Sequence, residues 1–210
     1  MPTKIAIWGY EQFDLILYLS RILTNLNKKV LIVDRATNDK TLKASIAVPI
    51  NTSLEVVDYR GVDYTATYEN NRMQKYDIIL IYFDSYKDEM NDCEQVILIT
   101  DLLEIRIKQF NESNLKANPI LIVRDGINSR IKEDYIASRL ESRIGAKCVY
   151  SIYQDNYDYK LKLDCYYNNI IKFRKLSKDF KEVLINLSEV IAKEQRSVIK
   201  SAYHRAERGK

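Results

Sequence analysis

Gly9-Tyr10-Glu11 follows the apolar run Ile5-Ala6-Ile7-Trp8, and Asp34, Asp84, Asp101 and Asp125 each stand at or just after the end of a later apolar run. A glycine between a short strand and a helix is where phosphate-binding proteins place a turn whose backbone N–H groups cradle an anion. That chemistry needs a glycine-rich loop, a lysine for the outer phosphates and a Ser or Thr for Mg²⁺. Gly9-Tyr10-Glu11-Gln12-Phe13-Asp14 offers one glycine, no lysine and no Ser or Thr. Glu11 and Asp14 put negative charge where phosphates would sit. Two like unit charges about 4 Å apart repel by roughly 4 kcal/mol at a surface dielectric. Asp34 and Asp84 are the candidates for a metal, as acidic pockets at strand ends can be, though no adjacent acidic pair supports Asp34. Alternatively, these polar residues only end their strands.

Other reactive residues are sparse. His204 is the one histidine and lies near the end of the chain, which disfavours Ser-His-Asp and Cys-His catalysis. Cys93, Cys148 and Cys165 form neither a C-x-x-C pair nor a zinc pattern and read as reduced thiols. Tyr150, Tyr153, Tyr157, Tyr159, Tyr166 and Tyr167 crowd one stretch with Asp155, Asp158 and Asp164. They are either a packing layer or a partner-binding surface carried by Tyr153, Tyr157 and Tyr159. The interspersed carboxylates weaken a base-stacking reading. The tail carries Lys193, Arg196, Lys200, Arg205, Arg208 and Lys210. It reads as a solvated basic helix end that suits the helix dipole, or as a contact for DNA or an acidic partner through Arg196, Lys200, Arg205 and Arg208. Its apolar face is too thin for strong membrane insertion.

The elements that would position these residues alternate. Residues 5–8 read as a strand, 13–26 as a helix from their apolar spacing, and 30–33 as a second, parallel strand. Short strands are expected at 54–57 and 62–64, and a central parallel strand at 78–83, which is apolar throughout. Strands follow at 95–100, 119–123 and 148–153, with helices at 102–111 and 131–144. From Ser177, a plausible N-cap, the pattern is helical for about 30 residues. Residues 37–53 are mixed in character. The expected class is α/β, a three-layer, mostly parallel sheet with helices on both faces, of P-loop NTPase-like or Rossmann-like type. Residues 1–176 are expected as a single α/β domain, with 177–210 a C-terminal helix and basic tail packed on it. Such sheets bind ligands beyond the carboxyl ends of their strands, which gathers Gly9, Tyr10, Glu11, Asp34, Asp84, Asp101, Arg124 and Asp125 on one edge.

The order of segments resembles the MinD/ParA family of deviant Walker ATPases. Residues 17–21 through Lys28-Lys29-Val30-Leu31-Ile32-Val33-Asp34 resemble that family's first helix and second strand. Tyr76-Asp77-Ile78-Ile79-Leu80-Ile81 with Asp84 resembles its Walker B strand, and Gln95–Thr100 with Asp101 the next strand and turn. The resemblance implies the P-loop fold and a site at Gly9, Tyr10, Glu11, Asp34, Asp84, Asp101, Arg124 and Asp125. It also marks three departures: no phosphate loop, an acidic residue displaced to Asp84 by Tyr82-Phe83, and Arg124-Asp125 where a base-reading Asn is expected. Pilus-localisation relatives of the TadZ type share this layout, and some of them depart from the standard nucleotide site. The resemblance therefore implies a degenerate, non-catalytic pseudo-ATPase with no cofactor. Such a scaffold would act through protein partners, as a homodimer or hetero-assembly, in a bacterial pilus, conjugation, secretion or partition system. Two alternatives stay open: an unconventional nucleotide or Mg²⁺ switch using the edge acids, and a DNA-binding module using the tail.

The 210-residue composition agrees with an ordinary globular chain: 46% hydrophobic, 30% charged, net charge +4, with Gly (5) and Pro (3) too few for a flexible linker. No apolar run reaches 18 residues and no signal peptide is legible, so a cytoplasmic location is expected.

Overall fold

The computed structural model describes residues 1–39, 41–46, 56–67 and 73–209. Eight strands form one sheet: β1 Thr3–Gly9, β2 Val30–Asp34, β3 Val57–Tyr59, β4 Val62–Thr65, β5 Ile78–Phe83, β6 Gln95–Thr100, β7 Ile120–Gly126 and β8 Cys148–Tyr153. Their order is β3-β4-β2-β5-β1-β6-β7-β8. All neighbours pair in parallel except β3 with β4, whose strands are joined by the tight turn at Arg60-Gly61. β1 lies between β5 and β6, with Ile5 opposite Leu80 on one side and Gln95 on the other. The chain winds outward in opposite directions from this strand, so the loop after β1 sits at the switch point where α/β sheets bind ligands.

The helices are α1 Phe13–Thr24, α2 Thr41–Ser45, α3 Glu104–Glu112, α4 Glu133–Ser138, α5 Asn156–Asn168, α6 Lys178–Ala192 and α7 Arg196–Glu207. Alternate residues of β1 face opposite layers, which is why its apolar run is uninterrupted. Ile5 and Ile7 pack with Leu19, Phe180, Leu187 and Ile199 from α1, α6 and α7. Ala6 and Trp8 pack with Ile107, Phe110 and Ile136 from α3 and α4. The sheet is thus covered on both faces, as expected.

Three expectations need correction. The helix expected over 131–144 is only α4, because Leu140 and Ile144 are buried from turns. The expected helix after Ser177 is two helices, broken at Lys193, whose φ of 55° closes α6 in the left-handed conformation. Ser177 does cap α6, accepting from the Phe180 amide at 3.1 Å. The tyrosine-rich stretch contains α5, a helix that apolar spacing did not reveal. The strand expected at 54–57 overlaps the observed β3 only at Val57, since β3 is Val57–Tyr59; residues 54 and 55 lie outside the described ones, as do 40 and 47–53 of the mixed segment.

Candidate functional site

Gly9 ends β1 with φ 134°, and a Cβ there would lie 1.9 Å from the Ile99 carbonyl oxygen. The Tyr10 amide donates to that same oxygen at 2.8 Å, so the turn is pressed against β6 and only glycine fits. Glu11 follows with φ 41° and delivers the chain into α1.

The first turn of α1 carries its own anion. Asp14 is fully buried there, and its Oδ1 accepts from the Leu15 amide at 2.9 Å. Arg124, from the end of β7, reaches across to it. Nη1 donates to Asp14 Oδ1 at 2.6 Å and Nη2 to Oδ2 at 2.5 Å, a two-pronged ion pair. Nη1 also donates to the Glu11 carbonyl at 2.6 Å. Burial works against the charge on Arg124, but Asp14 together with Asp125 and Asp158 holds the guanidinium more firmly protonated than usual. Lys162, from α5, is paired with the Glu11 carboxylate, and its burial pushes the ammonium below the usual lysine range. The positions that a phosphate loop would offer an incoming anion are therefore joined by ion pairs within the chain.

A cleft of about 390 Å³ opens beside this loop, lined by Tyr10, Glu11, Arg124, Asp125, Tyr153, Asp155, Asp158, Tyr159 and Lys162 among others. Asp155 caps α5 by accepting from the Tyr157 and Asp158 amides. Asp158 is 6% exposed, and its Oδ1 accepts from the Ser177 amide at 2.8 Å. Burial pushes its carboxyl above the usual range, against Ser177 and Arg124, which favour the charged form. Burial and nearby Asp125 and Asp101 push the Tyr10 phenol up.

Asp34, Asp84 and Asp101 lie outside this cleft. Asp34 accepts from the Tyr64 hydroxyl at 2.8 Å and the Ala36 amide at 3.0 Å. Asp84 Oδ2 gathers the Thr37, Asn38 and Asp39 amides at 2.9, 2.7 and 3.2 Å. Partial burial raises the Asp84 carboxyl, but these donors together bring it below the usual range. Asp101 accepts from the Leu103 amide at 2.9 Å and so shapes the start of α3. Among the described residues, no three His, Cys, Asp or Glu side chains gather to hold a metal.

The tyrosine-rich stretch divides. Tyr150 and Tyr166 pack against the core, while Tyr153, Tyr157 and Tyr159 are 38%, 55% and 59% exposed. In the tail, Arg196 is held by Glu182, Asn186 and Glu189, and Arg205 donates to the Asn25 carbonyl and Ser201. Lys200 and Arg208 are exposed. Ile199, Ala202, Tyr203 and Ala206 of α7 are buried in the core. No helix among the described residues is long and apolar enough to cross a membrane. Burial pushes the Cys165 thiol up to about 12 and Cys93 up to about 11, so neither is a ready nucleophile.

No family model and no curated protein matches the chain. Solved structures do. A chain of the MinC:MinD cell division protein complex of Aquifex aeolicus superposes with a TM-score of 0.68 at 14% identity, over 92% of this chain and 97% of that one. The septum site-determining protein MinD of Pyrococcus horikoshii OT3, complexed with Mg-ADP, gives 0.63 at 15% identity, over 90% and 97%. The MinD cell division protein of Aquifex aeolicus gives 0.58 at 15%, over 92% and 98%. The fold is MinD-like. Asp14 and Lys162 were not singled out as site residues by sequence. Asp14 could be read as a charge hostile to phosphate, but its partner stands 110 positions away.

Proposed function

We propose that this chain is a MinD/ParA-like positioning scaffold that neither binds nor hydrolyses nucleotide, a degenerate relative of the TadZ kind. It acts through protein partners, as a homodimer or within a hetero-assembly, in a bacterial pilus, conjugation, secretion or partition system. The observation that carries this reading is the buried Asp14–Arg124 pair in the first turn of α1. A triphosphate seated there would have to displace Asp14 from both the helix terminus and the guanidinium. Breaking a buried pair costs about 3–5 kcal/mol, which is on the order of 10²–10⁴ in affinity. No lysine of the β1–α1 loop is present to offset that cost. The MinD-like fold and the MinC:MinD complex among the similar structures support a role in protein assembly.

Thermal unfolding with ATP, ADP and GTP, each with and without Mg²⁺, tests the reading. A ligand at a hundred times its Kd stabilises the native state by about 2.7 kcal/mol, a rise of several degrees for a chain of this size. The expected result is an unchanged midpoint with each nucleotide. A saturable rise with any of them overturns it.

A further inference from the structure

The cleft beside the α1 loop carries more negative charge than its own cations neutralise. Arg124 is taken up by Asp14 and Lys162 by Glu11, which leaves Asp125, Asp155 and Asp158. The deciding atom is Asp158 Oδ2. The residue lines the cleft and is more than nine-tenths buried; Ser177 donates to its carboxylate, and Oδ2, covered in this structure, has no hydrogen-bond partner among the described residues. A buried carboxylate oxygen without a donor is costly until one arrives.

We infer that this cleft takes an alkylammonium group at Asp158, from a free polyamine or from a lysine side chain, an assignment that rests on reading the α1 loop as closed to nucleotide. The choice of cation follows from the acceptors. Oδ1 is occupied by the Ser177 amide, so one oxygen remains, whereas a guanidinium is matched by two. A divalent metal needs several converging ligands, and no such group of three is present among the described residues. An ammonium needs one strong acceptor and gains from aromatic faces. One ring of this wall already receives an ammonium from its own chain: Lys162 Nζ lies 5.3 Å from the Tyr159 ring centre. Tyr153, which also lines the cleft, adds a second, partly exposed ring.

The full chain is titrated with putrescine and with a blocked tripeptide carrying a central lysine, while the backbone amide resonances of residues 153–162 are followed. Acetyl-lysine and arginine tripeptides serve as controls, and MgATP is titrated in parallel. The expected result is a saturable shift with an amine, none with acetyl-lysine, and about tenfold or greater weakening in Asp158→Asn. That variant keeps an oxygen for the Ser177 amide. Asp125→Asn, at the end of β7, is the second variant should the first fail to fold, and a severalfold weakening is expected. Tighter binding of putrescine identifies a free polyamine, and tighter binding of the lysine peptide identifies a partner's side chain. The assignment is overturned by non-saturable shifts, by equal binding of the arginine peptide, or by unchanged affinity in both variants. Silence toward amines and MgATP alike removes this assignment and leaves the scaffold reading standing. A saturable MgATP shift at residues 9–14 removes the scaffold reading, while amine binding is judged by its own titration.

Discussion

Arg124 at the head of α1 and Arg196 at the head of α7 make the same kind of fork in opposite surroundings. Arg124 lies 4% exposed against a fully buried Asp14. The Arg196 side chain is 39% exposed, between Glu182 and Glu189. In water, an exposed pair exchanges one set of good contacts for another and contributes little. In the interior each charge depends on its partner, because neither can be resolvated when the other leaves. The first fork is a condition of the fold, and the second is ornament on a helix surface.

The sharpest way to break this contrast is Arg124→Met. It is expected to cost about 3–5 kcal/mol in chemical denaturation, by leaving Asp14 buried and unpaired. Adding Asp14→Leu should recover most of that loss. A single variant that behaves like wild type would place the two forks in one class. Next in size is Asp84→Ala, which strips the loop after β2 of a shared acceptor and should cost about 1–3 kcal/mol at neutral pH. The folded carboxyl lies below its unfolded value, so its contribution is complete above the unfolded pKa and is lost as pH falls through the folded one. Variant and wild type should therefore converge in acid, and a gap that persists there would contradict the assigned cause. Ser177→Ala removes the α6 cap and should cost about 1 kcal/mol. Arg196→Ala should fall within about 0–1 kcal/mol, with any loss shrinking as salt is added.

The same contrast separates what was legible in the sequence from what was not. The strands were readable because burial on both faces writes an unbroken apolar run, as in Ile78–Phe83. The α5 helix was not, since it buries Leu161 and Cys165 on one side while exposing Tyr159, Leu163 and Tyr167 on the other, which erases the helical period. The missing phosphate loop was legible because it is local. The ion pairs that hold this turn were not, because Arg124 and Lys162 reach the loop from β7 and α5, and no spacing rule links residues so far apart. The break between α6 and α7 leaves no mark in the sequence, because a left-handed lysine, not a glycine or proline, makes it.

Asp14 is an anion tethered to the helix it serves. A diffusible anion occupies its site by mass action, so its host tracks the surrounding supply. A tethered one has a local concentration that dilution does not change. On the proposed reading, this chain is held permanently in the loaded condition. Neither hydrolysis nor depletion can empty it, and its dose in the cell becomes the quantity left to regulate.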